Sequence, residues 1–148
     1  MVKINIKLLL SSIVMLIFFI SVAYADNLEF SDVDVKVGGK SSKDLEDGET
    51  IDEEAEPGDS VVFDIEVRSN FTDADDIDIE DITIKVTIEG IDDGDDLEEE
   101  SDEFDLGPDD EDGEKLEFEV PLEVEEDTFD VLIEAEGEDE NGTDHSIE

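Results

Sequence analysis

From Leu28 to Ala135 apolar side chains recur at every second position, and this period is the strongest constraint on what the chain can become. Leu28 and Phe30, then Val33, Val35 and Val37, alternate with polar neighbours. Val61, Phe63, Ile65 and Val67 share one parity; Ile77 and Ile79, then Ile82, Ile84, Val86 and Ile88, form a third run. Leu116, Phe118 and Val120 make a fourth, and Phe129, Val131, Ile133 and Ala135 a fifth. Successive side chains of a strand point to opposite faces, so each run specifies a strand with one apolar face and one wet face. The parity slips at Ser31-Asp32 and at Glu80-Asp81, which predicts a β-bulge at each. No segment carries the 3.6-residue apolar period of an amphipathic helix. Five or more such runs, rich in Ile, Val and Phe and separated by Gly-, Pro- and Asp-containing turns, predict an all-β chain folded as an antiparallel β-sandwich.

Charge opposes this fold. The 148 residues hold 51 Asp and Glu against 8 Lys and Arg, a net charge of −43. High charge with few aromatics is also the mark of disorder, but disordered acidic tails do not keep a two-residue phase over several segments. A surface this acidic repels phosphate backbones and anionic lipid headgroups, which excludes nucleic acid as a partner and attachment through a basic patch. With no Cys in the chain, disulfides, thiolate zinc, iron–sulfur clusters and a Cys nucleophile are excluded as well.

The first 25 residues contain no acid. Lys3 and Lys7 precede an apolar stretch, Leu8–Val22, that ends in Ala23-Tyr24-Ala25 before Asp26. A basic start, an apolar helix-forming centre and small residues at −3 and −1 describe a secretory signal peptide over 1–25, cleaved between Ala25 and Asp26. Leu8–Val22 falls short of the roughly 20 residues that cross a bilayer; an uncleaved membrane anchor would need the longer run Ile4–Tyr24. The expected mature domain, 26–148, keeps all 51 acids and only six bases, so its net charge is −45. Surface scaling gives a chain of roughly 13.6 kDa about 6,600 Å² of surface, which sets 51 carboxylates about 11 Å apart. That spacing is close to the screening length of ~8–10 Å near 0.15 M salt and far beyond the ~3 Å at 1 M. The charge therefore suits a halophilic protein or one of a cation-rich cell-surface layer.

Asp92–Glu114 is the densest acidic stretch, expected as a solvated, largely flexible loop in which Phe104 and Leu106 form one short strand. Together with the acidic segment 71–80 it raises a second reading, an envelope protein that recruits Ca²⁺, since hard cations take six to eight oxygens. The candidate ligands are Asp92, Asp93, Asp95, Asp96, Asp109, Asp110 and Asp112. Neither alignment with the twelve-residue calcium loop holds: a glycine at the sixth place puts Pro108 or Gly137 where the first ligand belongs. Any Ca²⁺ or other cation is thus expected to bind loosely, and no other cofactor is implied.

Catalysis finds little support. His145, the one imidazole, stands beside Asp144 and Ser146 near residue 148, and adjacent positions cannot converge as a nucleophilic triad does; it is expected at the surface. Two carboxylates among 51 carry no information about glycoside hydrolysis, and no Gly-rich phosphate loop is present. A secreted hydrolase is accordingly the least favoured reading. Asn70-Phe71-Thr72 and Asn141-Gly142-Thr143 fit the N-glycosylation sequon at expected turns. Asn70 is the better glycan acceptor, because Asn141-Gly142 also reads as a type I′ hairpin turn.

Turn chemistry carries a resemblance. Glu56-Pro57-Gly58-Asp59-Ser60-Val61-Val62-Phe63 leads to Asn70; Glu119-Val120-Pro121 follows; Asp127-Thr128-Phe129-Asp130-Val131 leads to Gly137-Glu138-Asp139-Glu140-Asn141-Gly142. This pattern resembles the archaeal S-layer-like Ig-type domains, related to the bacterial NEW3 and CARDB-like cell-surface modules. The resemblance implies an Ig-like β-sandwich displayed outside the cell for structure or adhesion, without catalytic residues and with other surface proteins as partners. The chain departs from the pattern in its enlarged acidic segments 71–80 and 92–114 and in its ending. Only Thr143–Glu148 remain to pair with Phe129–Ala135, so the last strand is expected to be incomplete. A longer multi-domain protein or a strand from a partner would complete that edge.

The charge spacing generates the first prediction. In circular dichroism, the β-sheet signal and the melting temperature should rise from 0.05 to 2 M NaCl; values flat across that range would refute charge repulsion as the limit on stability.

Overall fold

The computed structural model describes residues 27–51, 54–124 and 128–148. The expected signal peptide, its helix and its Ala25/Asp26 junction fall outside the described residues. Among the described residues nine strands form two antiparallel sheets. The first sheet contains β1 (Leu28–Val37), β2 (Lys40–Ser42), β3 (Ser60–Ser69) and β7 (Glu111–Glu119), in the order β2-β1-β3-β7. The second contains β4 (Ile79–Asp92), β5 (Asp95–Glu100), β8 (Val131–Asp139) and β9 (Asp144–Ile147), in the order β5-β4-β8-β9. A short strand, β6 (Phe104–Leu106), also pairs with β4. The chain passes from sheet to sheet after β3, β6 and β7, giving the all-β antiparallel sandwich that the alternation predicts.

The predicted parities are the observed faces. Phe63, Ile65 and Val67 of β3 and Ile82, Ile84 and Val86 of β4 are almost wholly shielded from solvent, and they pack with Leu28, Val35, Leu116 and Phe118 into one core between the sheets. Phe63 and Phe118 meet edge to face, with ring centroids 5.7 Å apart, the favoured geometry for opposed ring quadrupoles. Both predicted bulges are present: the β1/β3 register slips between Phe30 and Asp32, and the β4/β8 register slips between Glu80 and Thr83. Asp81 takes a φ of 52° at the second slip, and its N–H donates to Asp105 Oδ1 at 3.0 Å. One extra residue is thereby absorbed on each strand without turning the apolar face outward.

Three expectations are corrected. Asp92–Glu114 is not a loop. Asp93 and Gly94, at φ 53° and 93°, make a two-residue hairpin turn between β4 and β5, β6 follows, and β7 already begins at Glu111. The Asp-Gly pair suits the double positive φ of a type I′ turn, whose twist matches that of the flanking strands. The Asn141-Gly142 turn is not type I′, because Gly142 has a positive φ (77°) and Asn141 does not. Its Gly142 N–H donates to the Asp139 carbonyl at 2.8 Å, the pattern of a three-residue loop closed by a type I turn and a bulge. Finally, alternation places Val131 and Ile133 inside, yet Val131 is 38 % exposed and Ile133 only half-buried.

Close approach of β3 and β7 makes Gly113 a point of vulnerability. A Cβ there would lie 2.1 Å from the Ile65 carbonyl oxygen and 2.8 Å from Glu66 Cα, both backbone atoms of the central strand. G113A should therefore lower stability by at least about 2 kcal/mol, as overpacking does, whereas S41A on the short edge strand should stay within about 0.5 kcal/mol of the parent. Urea unfolding in 2 M NaCl measures both, and equal midpoints would show that β7 does not pair with β3 in this register.

Candidate functional site

β4 separates the candidate calcium ligands. Its first residue pairs with β6 (Ile79 with Leu106) and its last closes the hairpin (Asp92 with Asp95), about 43 Å apart at the rise of a strand. Asp92, Asp93, Asp95 and Asp96 lie at the hairpin end, where Asp96 Oδ1 accepts from the Gly90 N–H at 2.8 Å. Asp109, Asp110 and Asp112 lie at the opposite end, beside the 71–80 segment. There the Asp109 N–H donates to the Phe71 carbonyl at 2.7 Å, and the Ser69 N–H donates to the Asp110 carbonyl at 3.0 Å. Among the described residues no three carboxylate or imidazole groups are gathered so as to hold a metal ion. Asn70 and Asn141 are both exposed, Asn70 at the end of β3 and Asn141 in the β8/β9 loop.

The same end of the sandwich holds a polar pair that alternation could not reveal. His145 is buried, 7 % exposed, and not at the surface as expected. Its partner is Asp139, 6 % exposed, with Asp139 Oδ2 3.2 Å from His145 Nε2. Asp139 Oδ1 accepts from the N–H groups of Asn141 (2.8 Å) and Thr143 (3.1 Å), so one carboxylate closes the hairpin and orients the ring. Phe71 completes the site with an edge-to-face contact on the imidazole, centroids 5.6 Å apart. Burial alone would raise the Asp139 carboxyl, but the Thr143 N–H, His145 and the Asn141 N–H together hold it below its ordinary value. The pair is built as a clasp between β8, β9 and the 71–80 segment.

On the outer face of the first sheet the carboxylates crowd. Register sets Asp32 opposite Glu66 and Asp34 opposite Asp64, like charges on adjacent strands. Burial, with Asp34 and Asp44 nearby, raises the Asp32 carboxyl; burial, with Glu111 and Asp32 nearby, raises that of Glu66. Lys43 donates to Asp34 at 2.6 Å and Lys85 to Glu98 at 2.9 Å, while Arg68 pairs with Glu111 and Lys115 with Asp64. Among the described residues these four pairs are each worth at most about 1 kcal/mol at an exposed site.

An open seam runs between the sheets. β1 and the 44–51 segment form one wall; Val131, Leu132 and Ile133 of β8 form the other, and Glu148 lies at one end. It spans about 690 Å³ and stands half open to solvent. The half-buried Phe30, Val33, Leu45, Ile51 and Ile133 give it an apolar floor. Ser31 Oγ, also in its lining, is buried without a hydrogen-bond partner. The alternation of Val131 and Ile133 marks these positions as apolar but not as uncovered, so sequence reasoning located the edge and missed the cleft.

Two of the turn segments meet, the one around Pro57-Gly58 and the one around Val120. Asp59 N–H donates to the Glu56 carbonyl at 2.9 Å, closing the turn through Pro57 and Gly58, and Val120 binds the same turn twice, through its own N–H to the Asp59 carbonyl and through its carbonyl from the Gly58 N–H, each 2.9 Å.

The Asp139 site fixes a pH dependence. Its folded carboxyl titrates below the ordinary value of about 3.9, so ionisation stabilises the fold fully above that value, and the contribution is lost as pH falls through the folded value. Asp32 and Glu66, held high, act in the opposite sense: their ionisation costs stability at neutral pH, and acidification returns it. The stability difference between the parent and D139N removes these shared terms. It should shrink between pH 4 and 2; a difference that does not change across that range would refute the clasp.

No family model and no curated protein matches the chain. Among solved structures it is similar to the crystal structure of Spo0M, a sporulation control protein from Bacillus subtilis, at 15% identity and a TM-score of 0.36, with 78% of this chain and 46% of that one covered. The chain thus spans less than half the length of that protein.

Proposed function

We propose that the chain is an exported, highly acidic module of a cell surface, of the S-layer-like Ig-type kind, whose role is structural or adhesive and not catalytic. The observation that carries the reading is the segregation of charge: apolar residues fill the space between the sheets, and carboxylates occupy the outer faces and the turns. Such a surface is well solvated where cations are plentiful and poorly adapted to dilute conditions. The leader over 1–25 supplies the route out, and the turn around Pro57 and Val120 supports the family likeness. Other surface proteins are the partners this reading implies.

Mass spectrometry on fractionated cells of the native host tests the proposal. The expected product starts at Asp26, lies in the envelope or medium and is labelled by a membrane-impermeant amine reagent; an intact Met1 on a product confined to the cell interior would end it.

A further inference from the structure

We propose that Asn141 is a site of slow self-modification: the Gly142 nitrogen attacks its side-chain amide whenever the β8/β9 hairpin opens, and the closed Asp139 clasp holds that reaction off. The inference rests on the hairpin alone and not on where the chain is displayed.

The dipeptide supplies the chemistry. Asn is a thermally labile side chain, and a following Gly leaves the attacking nitrogen unshielded, because no Cβ stands beside it. Asn141 and Gly142 are both exposed, and a Cβ at Gly142 would meet nothing nearer than Glu138 Oε1 at 4.0 Å, so water and base reach the site. In the reaction the Gly142 nitrogen bonds to Asn141 Cγ and gives its proton to water, and ammonia leaves. Water then opens the five-membered imide at either carbonyl, which yields aspartate or isoaspartate at this position.

The fold keeps the reacting atoms apart. Gly142 N–H donates to the Asp139 carbonyl at 2.8 Å and closes the turn. In a type I turn the third residue, here Asn141, has a ψ of about 0°. Ring closure needs the Gly142 nitrogen to eclipse Asn141 Cβ about the Cα–C bond, a rotation that this turn forbids. Three more bonds fix the same loop: Asp139 Oδ1 accepts from the N–H groups of Asn141 (2.8 Å) and Thr143 (3.1 Å), and Asp139 N–H donates to the Thr143 carbonyl at 2.9 Å. Asp139 Oδ2 meets His145 Nε2 at 3.2 Å and Phe71 packs on that ring, so the carboxylate that restrains Asn141 is itself anchored in the buried pair.

The change is one-way. Isoaspartate lengthens the main chain by a methylene inside a loop whose N–H groups from Asn141 to Thr143 all bond to Asp139, so those bonds cannot all re-form. Either product also adds a carboxylate beside Glu138 and Asp144, like charges that already face each other across β8 and β9. The aged hairpin therefore loosens its hold on His145 and, through Phe71, on the 71–80 segment.

The test incubates the chain in 2 M NaCl at pH 8, with and without 8 M urea, and follows the peptide holding Asn141 by mass spectrometry, with Asn70, which precedes Phe71, as internal reference. Deamidation at Asn141 should be at least tenfold slower in the folded chain than in urea, and the slowing should match the hydrogen-exchange protection of the Gly142 amide. D139A should speed the folded-state reaction at least fivefold. Chain aged in urea and returned to salt should lose the Phe71 ring-current shift on the His145 ring protons. Equal rates with and without urea, or a slowing more than tenfold different from the Gly142 protection, would overturn the proposal, and the parent chain alone decides both even where D139A fails to fold. A folded D139A that ages no faster than the parent, or an aged chain that keeps the His145 shift, would overturn it as well.

Discussion

Repulsion among carboxylates is the interaction to which everything else in this molecule answers. Fifty-one acids must be placed on a small domain, and only the two outer faces, the turns and the edges can take them. The sheets meet that demand by division: the inward parity of the strands carries mainly Ile, Val, Leu and Phe, and the outward parity carries most of the Asp and Glu. Burial of the inward set must outweigh both chain entropy and the repulsion, so the free energy left over is small and depends on ions. The few bases are used where opposition is worst. Lys115 and Lys43 reach the Asp64 and Asp34 carboxylates that face each other across β1 and β3, while Asp32 and Glu66 oppose each other without an ion pair of their own and titrate high.

Much of this order is legible from the residues alone, because a two-residue period can be tested position by position. The faces of β3, β4 and β7 follow from Val61–Val67, Ile82–Ile88 and Leu116–Val120, and the two slips of parity at Ser31-Asp32 and Glu80-Asp81 lie where the registers shift. What escaped depends on three-dimensional neighbours. Asp93-Gly94 is a strong hairpin signal, but within so dense a run of acids it reads as one more piece of loop. Nothing around His145 shows that Phe71 and Asp139 will close over it. Those partners are set by the β8/β9 hairpin and by the path of the chain after β3, and neither leaves a periodic trace. The seam is hidden for a related reason: an apolar position has the same letter whether or not something covers it.

The clasp and the seam use the same strand in opposite ways. At its C-terminal half β8 is flanked on both sides, and its polar groups are satisfied by the hairpin loop and the imidazole. At its N-terminal half it has β4 on one side and the cleft on the other. Stability within a sheet is rarely uniform, and segments with fewer buried contacts open at lower cost. The N-terminal half of β8 is therefore the half with the least to lose on rearranging.

The other edge of the same sheet behaves differently. β5 and β6 lie end to end along β4, and β5 reads Asp-Asp-Leu-Glu-Glu-Glu, with five of its six side chains acidic. A strand so charged is a poor template for further pairing, in the way that edge charges commonly protect β proteins from sticking to one another. Any association through this sheet is therefore turned away from its β5–β6 side.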